Sequence, residues 1–153
     1  MSAVLADAPR FLPMQETDVD EVVAAEVTLY EFPWSRLNFG DSLAAGYSAW
    51  VTRQGPVLIA YAVMMLSLDE AHLLNLSVLR PWQRRGHGAA LLRHLFAVAR
   101  GAGALQMFLE VRPSNFAGLA LYNLNGFNAI GVRRGYYPAR GGREDGIVMR
   151  AAL

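Results

Sequence analysis

Two hydrophobic periods alternate along this chain, and the places where they switch mark its elements. Phe11-Leu12-Pro13-Met14 is a short apolar run. Pro13 removes a ladder donor, so the run predicts an edge strand. Thr17 can cap a helix whose first turn carries Asp18, Asp20 and Glu21, acids that complement the helix dipole. Val22, Val23, Val27 and Tyr30 then lie close to helical spacing. Pro33 breaks the pattern, and Ser35 can cap a second, weaker helix toward Ala45. After that the period falls to two, or to continuous apolar runs. Residues 47–53 predict a strand, Gln54-Gly55-Pro56 a turn, 57–68 a long strand, Asp69-Glu70 a tight connection, and 72–79 another strand. Such a run is an antiparallel meander.

Helical spacing returns over residues 86–100, with Leu91, Leu92, Leu95, Phe96 and Val98 to bury, and Gly101-Ala102-Gly103 ends it. Residues 105–111 predict a strand. A strand–helix–strand unit of this length implies a parallel pair joined by a right-handed crossover. Ser114 or Asn115 caps the next helix, which Asn125-Gly126 closes, Asn125 suiting a left-handed C-terminal position. Two last antiparallel strands follow at 127–134 and 146–150. The fold class is α/β in the broad sense of an α+β mixed sheet: central, largely antiparallel, with one parallel pair and helices on both faces. No repeat or linker divides the 153 residues, so 1–153 reads as a single domain.

Composition narrows the setting. Apolar residues make up 54% of the chain. No apolar run approaches the ~18 residues of a membrane span, so no membrane partner is expected. Residues 1–10 lack the basic start and apolar stretch of a signal peptide. With no Cys, disulfides, a thiolate nucleophile and Cys-ligated metal are excluded. His72, His87 and His94 show no ligand spacing, and no metal is expected. His94 reads as part of an exposed helix face. These features fit a cytoplasmic protein. All fourteen basic residues are Arg, which reads as a GC-rich gene. Residues 1–70 hold ten acids and three Arg, a net −7; residues 71–153 hold eleven Arg and three acids, a net +8. A basic half suits a polyanionic cofactor and an acidic half a cationic substrate, although both also suit two solvated faces of one domain. Arg133, Arg134, Arg140 and Arg143 lack a recognition helix or aromatic platform, so nucleic-acid binding is not expected.

The most specific stretch is Gln83-Arg84-Arg85-Gly86-His87-Gly88, between a strand and a helix. The first free N–H groups of a helix and its dipole favour an anion. Gly86 and Gly88 let backbone approach phosphates without a Cβ in the way. A P-loop would need Lys followed by Ser or Thr, and a Rossmann loop a third glycine. Gln-x-x-Gly-x-Gly after such a strand resembles the acetyl-coenzyme A signature of the GNAT superfamily of N-acetyltransferases. Phe32-Pro33-Trp34-Ser35, Leu109-Glu110-Val111-Arg112, Ala120-Leu121-Tyr122, Asn125-Gly126-Phe127, Tyr136-Tyr137-Pro138 and Gly142-Arg143-Glu144-Asp145 match, in order, the RimI family of ribosomal-protein-alanine N-acetyltransferases.

That resemblance implies an acyl-CoA N-acyltransferase fold, its two parallel strands splayed around the pantetheine arm. It implies acetyl-CoA as co-substrate and direct attack in a ternary complex. Leu76, Ser77 and Val78 would offer backbone N–H groups to pantetheine and thioester; taken alone they are ordinary strand residues. Arg84, Arg85, Gly86, His87, Gly88 and Ala89 would hold the pyrophosphate. His87 stands where the family is often apolar. Asn115 would contact the cofactor, or serve only as a helix cap.

Acetyl transfer needs an amine to lose a proton and a thiolate to gain one. Glu110 is the candidate base. Amid Met107, Phe108, Leu109 and Val111 its pKa would be raised; on spacing alone it could instead pair with Arg112 on the same strand face. The resemblance has it taking the amine proton through water. Tyr122 reads on periodicity as a core residue beside Leu119 and Leu121, and the resemblance makes it the acid. Phe32, Trp34 and Tyr137 sit in aromatic–proline loops, either hydrophobic plugs or, as the subfamily implies, walls of a peptide groove. The implied partner is the basic N-terminal segment of a ribosomal protein, the substrate being the N-terminal alanine of the eighteenth small-subunit protein, with Glu26, Glu31 and Asp41 lending the groove negative charge. Another protein N-terminus, a small amine, or a non-catalytic CoA-binding module are the alternatives.

Overall fold

The computed structural model describes residues 8–153, so the reading of the first ten residues lies mostly outside it. Along the described chain run β1 (Arg10–Pro13), α1 (Val19–Leu29), α2 (Arg36–Ala44), β2 (Ser48–Gln54), β3 (Val57–Ser67), β4 (Glu70–Val78), α3 (His87–Gly101), β5 (Gln106–Val111), α4 (Phe116–Leu124), β6 (Asn128–Ala139) and β7 (Gly142–Ala152). The strands form one mixed sheet in the order β1-β2-β3-β4-β5-β7-β6. β1–β2, β2–β3, β5–β7 and β6–β7 run antiparallel. β4–β5 is the parallel pair that the strand–helix–strand pattern required.

The first of two units takes residues 8–64 and 75–95. Its centre is β3, where Leu58 to Met64 are all nearly inaccessible. A strand covered on both faces shows a continuous apolar run rather than alternation, which is why 57–68 read so clearly. α1 buries Val19, Val22, Ala25 and Glu26. Val27, expected on that face, is 56% exposed. Thr17 does not cap this helix. A 3₁₀ turn, Glu16–Asp18, precedes it, tied by the Gln15 N–H to the Asp18 carboxylate at 2.8 Å. Ser35 does cap α2, its hydroxyl accepting from the Asn38 N–H at 3.2 Å. α3 contributes Leu91, Leu92 and Leu95 to the core. His94 is not on an exposed face: its ring stacks on Phe11 at 4.5 Å and meets Trp50 edge-on at 4.3 Å.

The second unit takes residues 65–74 and 96–153. The β4–β5 ladder holds four residue pairs, Glu70–Gln106 to Leu73–Leu109, and Glu110 lies one residue past its end. On β5, Met107, Leu109 and Val111 are buried, so Glu110 shares the opposite face with Phe108. β6 and β7 run well beyond the spans their sequence indicates. They form a long hairpin turning at Arg140–Gly141, where Gly141 has φ +78°. Gly135, Pro138 and the charged block Gly142–Asp145 obscure it in the sequence. β6 is an edge strand, so Pro138 withholds no needed donor. Its register shifts between Arg133 and Tyr137, with Gly135 at φ +57°. Tyr136, Tyr137 and Pro138 therefore lie on a strand, not in a loop. Asn115 is the cap of α4, accepting from the Gly118 N–H at 3.0 Å. At the other end, Gly126 takes the left-handed conformation (φ +91°) in place of Asn125 (φ −115°).

Candidate active site

In the first unit the chain leaves β4 at Val78, makes a 3₁₀ turn at Arg80–Trp82 and enters α3 at His87. Two ties hold this connection. The Gln83 side-chain amide donates to the Val78 carbonyl at 2.9 Å, and the Leu79 N–H to the Ile59 carbonyl at 2.9 Å. Gln83 thus folds the loop back onto its own strand, a physical reason for the first letter of the glycine motif. Arg84 (φ +62°) and Gly86 (φ +84°) both adopt left-handed backbone. The first intrahelical bond joins the Ala90 N–H to the Gly86 carbonyl at 3.0 Å. Helix geometry therefore leaves the N–H groups of His87, Gly88 and Ala89 without intrahelical acceptors. A Cβ built on Gly86 would meet nothing within 4 Å, so the space beside it is open. Open space, unspent N–H groups and a helix dipole fit a pyrophosphate. Arg85 is partly engaged, its guanidinium 5.3 Å from the Trp82 ring.

The same unit carries a polar network that the sequence does not announce. Glu26 is 2% exposed. Its carboxylate accepts from the Tyr61 hydroxyl at 2.6 Å and the Trp34 N–H at 2.9 Å, with Asn75 Nδ2 at 3.4 Å from both oxygens. Ser77 donates to Asn75 Oδ1 at 2.8 Å, and its oxygen lies 2.6 Å from the Tyr30 hydroxyl. Burial pushes the Tyr61 phenol up, and the Glu26 charge pushes it further. Burial likewise raises Tyr30, against the lowering effect of the Ser77 hydrogen bond. Glu26 thus anchors the Phe32–Ser35 loop and the Asn75–Ser77 segment of β4. A carboxylate so enclosed cannot present charge to a peptide, which removes it from the acidic face anticipated above. Trp34 rests against Phe39 at 5.1 Å, and Phe32 is 41% exposed.

In the second unit Glu110 has partners that spacing did not show. One carboxylate oxygen lies 2.5 Å from His72 Nε2 and the other 3.4 Å from Arg133 Nε. His72 pairs in register with Phe108, and Glu110 is the next residue on that face. The His72 hydrogen bond holds the Glu110 carboxyl below its ordinary range, helped by the charges of His72 and Arg133, while burial works against them. The raised pKa expected from apolar neighbours is therefore not found: Met107, Leu109 and Val111 face the other way, and the His72 hydrogen bond outweighs burial. Nor does Arg112 pair with Glu110. Arg112 donates to the Pro138 carbonyl at 2.8 Å and to Glu144 at 3.2 Å, and stacks over the Tyr137 ring at 4.4 Å.

Glu144 also accepts from the Ser114 N–H at 2.9 Å and the Ser114 hydroxyl at 3.0 Å. Asp145 accepts from the Gly135 N–H at 2.8 Å, and Arg143 donates to the Gly135 carbonyl at 2.9 Å and the Tyr136 carbonyl at 3.1 Å. The Gly142–Asp145 block thereby fixes the irregular part of β6 that carries Tyr136 and Tyr137. A Cβ on Gly146 would stand 3.0 Å from Tyr136 and 3.3 Å from Tyr137, so both rings would have to give by a few tenths of an ångström to admit one. Burial raises the Tyr137 phenol, with Tyr136 and Glu110 adding to it. Tyr122 is 8% exposed on α4, its ring edge-on to Phe127 at 5.5 Å. The second unit thus brings together Glu110, His72, Arg133, Arg112 and Tyr137, all on or beside β4, β5 and β6.

A mixed sheet with one parallel pair, a short ladder between those strands and a glycine loop opening the intervening helix define an acyl-CoA N-acyltransferase architecture. The sequence pattern of the acetyltransferase (GNAT) family matches residues 15–127, and the chain belongs to that family. Within it, the chain is 39% identical over 136 residues to the [ribosomal protein bS18]-alanine N-acetyltransferase of Escherichia coli K12, covering 89% of this chain and 92% of that protein. The crystal structure of the ribosomal-protein-S18-alanine N-acetyltransferase from Escherichia coli superposes with a TM-score of 0.88 at 36% identity, covering 95% of this chain and 94% of the other. The N-alpha-acetyltransferase RimI of Mycobacterium tuberculosis is 36% identical over 131 residues, 82% of this chain and 80% of that one. The Arabidopsis thaliana NAA60 structure in complex with acetyl-CoA shares the fold, with a TM-score of 0.86 at 16% identity over 95% and 99% of the two chains.

Proposed function

We propose that this chain is an acetyl-CoA-dependent protein N-terminal acetyltransferase that modifies the N-terminal alanine of ribosomal protein bS18. The observation that carries the reading is 39% identity across 89% of the chain to an enzyme named for that reaction. Residues 1–153 act as a single acetyltransferase domain, and the substrate places the work in the cytoplasm. Among the described residues no helix is long and apolar enough to cross a membrane.

In this reading the backbone from Arg84 to Ala89 holds the pyrophosphate of acetyl-CoA, Leu76, Ser77 and Val78 offer N–H groups to its pantetheine and thioester, and Asn115 adds a contact. Phe32, Trp34 and Tyr137 bound the peptide end, admitting a small first side chain. Glu110 accepts a proton from the substrate ammonium through water, exposing the nitrogen lone pair. That pair forms the N–C bond to the acetyl carbon as the C–S bond breaks, its electrons staying on sulfur. Tyr122 gives the thiolate its proton and regains one from the nitrogen. A phenol is protonated near neutrality and suits that part.

The test is thiol release from acetyl-CoA with an Ala-starting basic peptide, the same peptide N-terminally blocked, and a free polyamine. Release with the free peptide alone is expected. Faster turnover of the polyamine would replace this reading with a small-amine acetyltransferase, and binding of coenzyme A without turnover of any amine would make the chain a binding module.

A further inference from the structure

We infer that His72 is a positioning residue for this acetyltransferase, and that the base is the His72–Glu110 pair rather than Glu110 alone. The inference rests on the N-acetyltransferase reading and deepens it.

Geometry carries the argument. His72 on β4 and Glu110 on β5 lie diagonally across a parallel ladder, on one face, with Nε2 and a carboxylate oxygen 2.5 Å apart. So short a contact requires a proton between the two atoms. The other carboxylate oxygen faces Arg133 Nε at 3.4 Å, from β6. Arg133 is itself spread over the Tyr136 ring at 5.3 Å. Tyr137, also on β6, is near enough for the Glu110 charge to raise its phenol. Arg112 is committed to Glu144 and to the Tyr137 ring. The charged groups facing Glu110 are thus His72 and Arg133, both donors.

A carboxylate held by two donors is a poor proton acceptor by itself, and its lowered pKa says the same. An adjacent imidazole changes this, because His is the side chain whose charge changes nearest neutral pH. With the imidazole protonated, the pair is neutral overall and cannot usefully accept. Once the imidazole has lost that proton, the pair carries a charge of minus one with a single proton in the shared hydrogen bond. It then takes one proton from the substrate ammonium, whose N–H electrons remain on nitrogen as the attacking pair.

The experiment is the pH dependence of kcat/KM toward an Ala-starting peptide for wild type, His72→Gln and His72→Phe, with coenzyme A affinity measured calorimetrically to confirm an intact fold. In wild type the acid limb should fall with a slope of one at the ionisation of the pair, because the bound ammonium passes its proton to the pair and needs no ionisation in solution. Both variants should lose roughly 10²-fold at neutral pH and show the limb moved to the higher ionisation of the free amine. A constant loss at every pH with the limb unmoved would overturn the inference and leave His72 a structural partner. Carbon-detected NMR needs no turnover. The Glu110 carboxyl should titrate at higher pH in His72→Phe than in wild type, and an unchanged midpoint would overturn the pairing itself. An enzyme inactive toward every amine but with a shifted midpoint would fail the proposed function while leaving the pair intact.

Discussion

Glu110 is ionised in the fold because donors surround it, and that has a measurable consequence for stability. Its folded pKa lies below the ordinary 4.5, chiefly through the His72 hydrogen bond. A depressed carboxyl contributes stability that is fully present above the unfolded value and is lost as pH falls through the folded one. The stability difference between wild type and Glu110→Gln, from chemical denaturation, should shrink as pH falls below about 4.5. A difference that grew in acid would contradict the assignment of partners. Tyr122→Phe keeps the ring that packs on Phe127 and removes only the hydroxyl. Its kcat should fall by about 10²-fold or more with coenzyme A affinity retained, and a near-wild-type kcat would return Tyr122 to the core role its periodicity suggests. At this scale the sequence shows which residue carries a carboxylate but not what faces it. Arg112, two positions away, was the evident partner of Glu110. The true partners stand 38 residues before it and 23 after it, where strand pairing alone brings them close.

Elements were legible where one local signal dominated. Ser35 caps α2 because its side chain and Asn38 satisfy each other's backbone N–H groups. β3 shows through because a strand buried on both faces leaves an unbroken apolar run. Thr17 misled because Asp18 closes a 3₁₀ turn first and passes the helix start to Val19. The β6–β7 hairpin was half hidden because its glycines and charges serve a bulge rather than a loop. Two glycines test the elements that carry the site. At Gly118 a Cβ would stand 2.6 Å from Asn115 Nδ2, so Gly118→Ala must displace that side chain. A lost cap costs about 1 kcal/mol and Gly→Ala in a helix returns about as much. Stability should stay near wild type while coenzyme A affinity falls; unchanged affinity would leave Asn115 a helix cap and nothing more. At Gly86, Ala finds open space but a left-handed backbone, a strain of roughly 1–2 kcal/mol. Calorimetry should show Gly86→Ala weakening coenzyme A binding modestly and Gly86→Asp abolishing it, because only Asp adds charge beside the helix N-terminus. Equal affinities for both would remove the pyrophosphate from this loop.

Across the whole molecule the acidic first seventy residues are less available to a substrate than their ten carboxylates suggest. Glu26 is buried, Asp18 and Glu21 bind Arg53 at 2.8 Å each, and Asp20 binds Arg36 at 2.9 Å. Electrostatic steering of a basic peptide is therefore expected to be modest. kcat/KM for an Arg-rich, Ala-starting peptide should decline between 0.1 M and 1 M salt, as the Debye length shrinks from about 10 Å to about 3 Å. It should exceed the value for an acidic peptide only at low salt. The claim on which the rest depends is N-terminal acetylation of one ribosomal protein. Its most direct measurement is mass spectrometry of purified, unacetylated bS18 after incubation with this chain and acetyl-CoA. The account predicts one added acetyl group, on the N-terminal alanine, absent with Tyr122→Phe over the same interval. Unmodified bS18 under conditions where the enzyme acetylates another amine, or acetyl groups on lysine side chains alone, would contradict it.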